Sequence, residues 1–400
     1  MNQTFAAFQY RNYRLWFIGQ LASLVGTWMQ ITAQGYLVFE LTHSSVYLGY
    51  VGFAFGIPSL LTMYGGVVSD RVSKRKVLII VQNIMMLLAF GLAALTFLKI
   101  VRPWHIVGMA FLLGIANAFD APARQSFVLE MVDREYLTNA IALNSMMFNL
   151  ARAAGPAAAG MAYAIWGPGW CFTLNGISFI AVIIALLLMK IEVRPPREIQ
   201  SSVIADSKEG FLYAIRHPII RLLLILVIFT SIFGLGYSTL IPAWAVSVLH
   251  GDVSTVGFLQ SAHGVGSLLG ALTVAAYGNF ARKGRMLMTG MFVFPLLLLV
   301  FSSVHWTAFS LIALIGTGWG FMLVFNLANA LVQTSVPDEM RGRVMGLYVM
   351  GFFGAMPIGA LLAGFVAEKV GDPLTVGAEA VVMLLCAIWV FVKHPEIRDV

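Results

Sequence analysis

This 400-residue sequence is poor in charge, in cysteine and in long polar stretches. Only 11% of its residues are Asp, Glu, Lys or Arg, while 60% are hydrophobic. Soluble domains carry about 25% charged residues. Such a chain cannot coat a water-facing surface, which excludes an ordinary soluble globule and makes the lipid bilayer its solvent. The two cysteines, Cys171 and Cys386, lie in or beside apolar runs. That excludes a disulfide framework or a zinc spacing and leaves two small core residues. The sequence also lacks a Walker loop with its lysine, a nucleotide fingerprint and a zincin histidine pair. No enzyme chemistry, metal site or cofactor is therefore expected. Any work on a solute would draw on an ion gradient or on the solute's own gradient. The opening MNQTFAAFQYRNYRLWF does not run basic, apolar, small, so a cleaved signal peptide is not expected and the first helix acts as the insertion signal.

What is present is a succession of apolar runs separated by short polar breaks. A spanning helix needs ~20 mostly apolar residues. The pattern predicts spans near 15–39, 46–69, 77–99, 104–128, 139–164, 171–190, 221–248, 254–277, 286–304, 307–333, 343–368 and 374–392. That is twelve, which puts both termini on one side. With the N-terminus inside, the inner loops receive Arg11, Arg14, Arg71, Lys74, Arg75, Lys76, Arg134, the set from Lys190 to Arg221, Arg282, Lys283, Arg285, Arg341, Arg343, Lys393 and Arg398. The outside receives only Lys99, Arg102 and Lys369. This asymmetry predicts cytoplasmic termini in a cell (inner) membrane. It also explains the net charge of +7 as orientation, without a nucleic-acid partner.

The longest polar stretch, Glu192 to Pro218, carries paired prolines and mixed charge and reads as a linker. Part of it, Lys208 to Arg216, can form a short amphipathic helix on the inner membrane face. The predicted domains are 1–191, a six-helix bundle; 192–220, a cytoplasmic linker; and 221–400, a second six-helix bundle. The halves resemble each other: residues 134–160 align without gaps on 338–364, with Gly155 on Gly359 and Gly160 on Gly364. Such duplication is common among secondary transporters. The fold class expected is an all-α integral membrane protein of twelve helices in two pseudo-symmetric bundles.

Polar side chains inside the spans fall into stripes at three- and four-residue spacing. These are Gln20, Ser23, Thr27, Gln30 and Gln34; Asn117, Asp120 and Arg124; Ser145, Asn149 and Arg152; Gln260, His263 and Ser267; and Asn326, Asn329 and Gln333. Taken singly, each reads as hydrogen-bond glue between helices. Five stripes from both halves point instead to a shared cavity near the bilayer midplane, lined by Gln30, Gln34, Asn117, Asn149, His263, Asn326 and Asn329. Asp120 and Arg124 lie four apart and can neutralise each other. His263 is a packing residue or a proton carrier. Glu40, Glu368 and Glu379 lie near outer span ends, where solvation is the cheaper reading. Gly49, Gly52, Gly56, Gly65 and Gly66 in the second span, and Gly351, Gly354 and Gly359 in the eleventh, suit close helix packing.

The segment GGVVSDRVSKRK places five charges in seven positions. Gly66, Asp70, Arg71, Lys74 and Arg75 resemble the signature between helices 2 and 3 of the major facilitator superfamily. ARAAGPAAAG, with Arg152, Gly155, Pro156 and Gly160, resembles its exporter-associated Gly-Pro signature in helix 5. APARQSFVLEMV, VPDEMRGRVMG and the opening FQYRNYRLWFIGQLASLVGTWMQ resemble the branch of enterobactin-type siderophore exporters and macrolide efflux proteins. The resemblance covers nearly the whole chain. It implies alternating access by two six-helix bundles and a monomer. The implied function is export of a small amphipathic molecule (drug, macrolide or siderophore-like), driven by proton antiport. No acid stands near the midplane of the first span, so Asp120 is the candidate for proton coupling. The resemblance also pairs Asp70 with the start of helix 11, which here carries Arg341 and Arg343; Arg124 is another possible partner. The alternatives are an importer or flippase of a nutrient or lysophospholipid on the same fold, and a non-transporting membrane sensor.

Overall fold

The computed structural model describes residues 3–190, 203–277 and 283–399. The first part of the expected linker, 192–202, and Arg282 lie outside the described residues. Every regular element among those described is helical. In order they are α1 (Arg11–Thr42), α2 (Ser45–Gly56), α3 (Thr62–Arg71), α4 (Lys74–Phe97), α5 (Pro103–Phe127), α6 (Leu137–Trp166), α7 (Pro168–Leu188), α8 (Val203–Arg216), α9 (Pro218–Phe233), α10 (Gly236–Ser247), α11 (Val253–Tyr277), α12 (Lys283–Ser303), α13 (Thr307–Ser335), α14 (Asp338–Val370) and α15 (Asp372–Lys393), with short 3-10 turns between some of them.

Among the described residues, ten stretches are long and apolar enough to cross a membrane. Two of the ten, Ser45–Arg71 and Pro218–Ser247, each contain two helices across an interruption. Both had been expected as single uninterrupted spans. In the first, Pro58 has no N–H to continue the ladder, and residues Ile57–Leu61 tighten into a 3-10 turn. In the second, α9 ends as the Gly234 N–H bonds the Thr230 carbonyl at 2.8 Å, and α10 restarts two residues later. α1 and α6 have spanning length, 32 and 30 residues, but are not apolar enough to join the ten. They carry polar side chains on a three- to four-residue spacing. Outward-facing Ile18, Leu87, Ile165, Ile312 and Leu385 are exposed, the apolar exterior that a lipid solvent rewards.

The chain divides into two compact units. The first holds Met1–Thr42, Ile57–Glu198 and Val253–Ser261; the second holds His43–Gly56, Ile199–Asp252 and Ala262–Val400. In the first unit α1 packs on α6 and α7, α4 on α5 and α7, and α3 on α5. Trp16 and Phe127 meet edge to face there, ring centroids 5.4 Å apart. In the second, α12 packs on α13 and α15, and α14 on α2, α8, α9 and α10. Trp244 stacks on Phe301 in its core at 4.5 Å.

The small-residue seam of the second span has two different partners. In the second unit, a Cβ on Gly49 would sit 3.0 Å from the Ala360 carbonyl oxygen, and one on Gly364 2.7 Å from that of Ser45. In the first unit, a Cβ on Gly65 would fall on the Ala118 carbonyl oxygen of α5, whereas one on Gly66 would meet nothing within 4 Å. Gly65→Ala should therefore destabilise the protein by about 1–3 kcal/mol through overpacking. Gly66→Ala should leave it unchanged or gain up to about 1 kcal/mol of helix propensity. Thermal unfolding of the two purified variants in detergent checks this, with the midpoint lowered in the first alone.

Candidate functional site

The polar stripe of α1 is largely bonded within the first unit. Gln30 and Gln34 are 2% and 3% exposed. The Asn175 amide of α7 donates to Gln30 Oε1 at 2.7 Å, and Gln34 Nε2 donates to the Ile106 carbonyl of α5 at 3.0 Å. Thr32 Oγ1 donates to Gln260 Oε1 at 2.5 Å. Asn117 and Asn149 are half-buried, and the Asn149 amide donates to the Ser145 carbonyl one turn back at 2.9 Å. Asp120 is 3% exposed. Its Oδ1 accepts from Gln82 Nε2 at 2.8 Å, and its Oδ2 lies 3.5 Å from Arg124 Nε. The candidate coupling acid is thus held inside an ion pair with a third, neutral partner.

The Gly-Pro segment of α6 is a packing crossroads. Arg152 lies over the Trp28 ring, 5.7 Å from its centroid. A Cβ on Gly155 would approach Trp28 Cβ to 2.5 Å, so no larger residue lets α1 and α6 cross here. Pro156 offers no N–H, and the following Ala157 N–H donates to Ser261 Oγ of α11 at 2.9 Å.

The charged loop after α3 splits into separate roles. Lys74 Nζ meets Glu130 Oε1 at 2.7 Å, tying the loop to the turn after α5. Arg75 Nη2 donates to the Leu187 carbonyl at the end of α7, at 3.0 Å. Asp70 and Arg71 are exposed. Asp70 lines an open hollow with Gly66, Ser69, Pro122, Gln125 and Ser126.

In the second unit, Arg341 bridges Asp338 at 2.5 Å and donates to the Gln333 carbonyl at 3.1 Å, closing the entry to α14. Arg343 pairs with Glu209 of α8 at 3.0 Å, which docks that helix on α14. Asn326 and Asn329 are half-buried on α13, and Gln333 Nε2 donates to Asn329 Oδ1 at 2.6 Å. Beside them stands an aromatic cluster that the polar stripes did not reveal. Phe325 meets Phe352 at 4.5 Å, Tyr348 at 5.8 Å and Phe321 at 6.1 Å. His263 is 6% exposed between the rings of Tyr237 and Phe321, at 5.9 and 6.1 Å.

Of the acids near outer span ends, Glu40 and Glu368 are exposed as expected, whereas Glu379 is buried. Glu368 accepts from Ser44 Oγ at 2.9 Å and from the Val46 N–H at 3.3 Å, at the start of α2. Asp372, 8% exposed, accepts from Ser45 Oγ at 2.8 Å. Glu379 is likewise only 8% exposed. Its seven-residue spacing from Asp372, two turns along one face, was the available sign that both face inward.

Against known proteins, the sequence profile of a family described as transmembrane secretion effector matches residues 2–399. The chain is similar to the staphyloferrin A transporter of Staphylococcus aureus (strain NCTC 8325 / PS 47), 27% identical over 90% of each chain. It is 25% identical to the multidrug efflux pump Tap of Mycolicibacterium fortuitum, over 95% of this chain and 94% of that one. It is 24% identical to the enterobactin exporter EntS of Shigella dysenteriae serotype 1 (strain Sd197), over 96% and 92%. Among solved structures it superposes on a POT family transporter in complex with 5-aminolevulinic acid, with a TM-score of 0.79 at 12% identity and 97% coverage of both chains. At that identity the likeness shows the fold.

The Gln30–Asn175 contact yields a test that separates glue from cavity lining. Gln30→Leu alone strands a fully buried amide and should cost about 1–3 kcal/mol. Adding Asn175→Leu should recover most of that loss in thermal unfolding, because both partners are then apolar.

Proposed function

We propose, for a chain that belongs to the transmembrane secretion effector family of the major facilitator superfamily, that it exports a small amphipathic molecule of the siderophore or drug kind by proton antiport. As a member of that superfamily it is a multi-pass membrane transporter and not an enzyme. In this reading α1 and α6 join the ten apolar stretches as spans, making twelve. Their polar faces are affordable because neighbouring helices satisfy them. The twelve form bundles at 1–191 and 221–400 around the linker 192–220, act as a monomer and leave both termini in the cytoplasm. No cofactor takes part.

The observation that carries the reading is on α13, where Phe325 meets the Phe352 ring and Asn329 follows one turn later. Aromatic faces with a few amides suit a flat, partly polar solute, because stacking and hydrogen bonding act on the same molecule. Gln30, Gln34, Asn117, Asn149, His263 and Asn326 complete the proposed polar set. Asp70 is exposed and has no ion-pair partner among the described residues, which suits a gate acid with Gly66, Arg71, Lys74 and Arg75 around it. Arg124, Arg152, Gly155, Pro156, Arg341 and Arg343 hold the helix ends and crossings on which the gate turns. Two acids are open to the coupling role: Asp120, ion-paired, and Glu379, taken up below.

Everted membrane vesicles should accumulate a siderophore-type catecholate or citrate conjugate, or a cationic drug. An uncoupler should abolish that accumulation. Accumulation indifferent to the uncoupler sinks proton antiport, and uptake only into vesicles of native orientation marks an importer. Phe325→Ala should raise KM several-fold with normal expression. Asp70→Asn should lower the transport rate while leaving membrane insertion intact.

A further inference from the structure

The interruption between α9 and α10 holds a carboxyl group. α10 begins at Gly236, and its Tyr237 backbone N–H donates to the side chain of Glu379 on α15. Gly236 is there because nothing larger fits: a Cβ would fall on Glu379 Oε1 and lie 2.9 Å from Ala363 Cβ. Glu379 is 8% exposed, and its Oε2 is buried with no hydrogen-bond partner among the described residues. It stands seven residues into α15, about 10 Å along the helix at 1.5 Å per residue, within a stretch of spanning length and hydropathy.

Among the described residues, no cation is placed to meet it. α15 packs on α9, α10, α12 and α14. Tyr237 is the only titratable group on α10, with the buried His263 ring behind it at 5.9 Å. α9 carries none after Arg221, and α12 none after Arg285. α14 carries none between Tyr348 and Glu368. On α15 itself the nearest acid is Asp372, two turns back and held by Ser45; Cys386 lies two turns on, Lys393 ends the helix four turns on, and His394, Glu396 and Arg398 follow it. Asp120, by contrast, has both Arg124 and Gln82. An acid with one oxygen on a helix N-terminus and the other bare can gain or lose a proton without breaking an ion pair.

We propose that Glu379 is a proton-binding site and that its charge sets how firmly α10 is anchored at the Gly234–Gly236 interruption. As a carboxylate it accepts the Tyr237 N–H and faces the positive end of the α10 dipole. With a proton on Oε2 the charge is gone and the anchor weakens. The proton comes from and returns to water, so no other reactant is needed. That this is the coupling ion of export rests on the antiport reading above; the existence of the site does not.

Two measurements on the full-length protein in lipid vesicles test this. In an infrared pH titration, one protonated-carboxyl band should convert to carboxylate. That band should vanish in Glu379→Gln, shift in Glu379→Asp and survive Asp120→Asn. In transport, Glu379→Gln should keep solute exchange in the absence of a pH gradient and lose the stimulation that a gradient gives. A band unchanged in Glu379→Gln overturns the proposal, and gradient stimulation retained by it overturns the coupling role. If the wild type itself shows no gradient stimulation, the antiport reading falls, while a band lost in Glu379→Gln keeps the proton site. Should Glu379→Gln fail to insert, Gly236→Ala decides. Its methyl displaces Oε1 and should move the band; an unmoved band in the folded variant overturns the assignment. Titration by sodium in place of pH overturns it as well.

Discussion

Inside a bilayer no water is at hand for a backbone N–H or C=O, so each must find its partner within the protein. Uninterrupted helices meet that demand along most of this chain. Its informative places are those where the ladder is broken and something else supplies the missing bond. Pro156 removes one donor from α6, and the next N–H turns to Ser261. The start of α2 is met by Glu368 and Asp372. The start of α10 is met by Glu379. At these places a polar side chain supplies what backbone continuity does not, and glycine sits beside it where two backbones must approach.

Charge follows a related division. In the first unit the loop cations serve as staples: Lys74 reaches the turn after α5 and Arg75 reaches the end of α7. A lysine or arginine at the C-terminal end of another helix is favoured by that helix's own dipole. In the second unit Arg341 and Arg343 do comparable work at the start of α14 and along α8. The positive residues at these helix ends thus bind neighbouring helices together. Asp70, lying among them, has no such bond among the described residues.

Span positions were legible in the sequence because hydropathy runs report lipid exposure directly. The observed helices Pro103–Phe127, Val253–Tyr277 and Thr307–Ser335 lie within a few residues of expectation. The interruptions were not legible. Pro58 gave a hint, but Pro156, Pro295 and Pro357 sit inside continuous helices, so proline alone does not mark a break. The stripes identified which faces are polar and not what they touch. Gln30 and Gln34 meet Asn175 and a backbone carbonyl, and only tertiary packing brings those groups near. Gly65 and Gly66 are adjacent and chemically identical, yet only the crossing of α3 with α5 distinguishes them. Glu379 was not legible because its place near a span end suggests solvent, while α10 folded over it shields it.

The bonds of α1 have a consequence for how the chain is made. Its Gln34 waits for Ile106 on α5, its Gln30 for Asn175 on α7, and its Thr32 for Gln260 on α11. During synthesis the first helix therefore reaches the membrane long before its partners exist. Until those helices are in place, the side-chain amides of Gln30 and Gln34 lack these partners. The polar face of α1 is thus satisfied only by contacts spread along the sequence from α5 to α11.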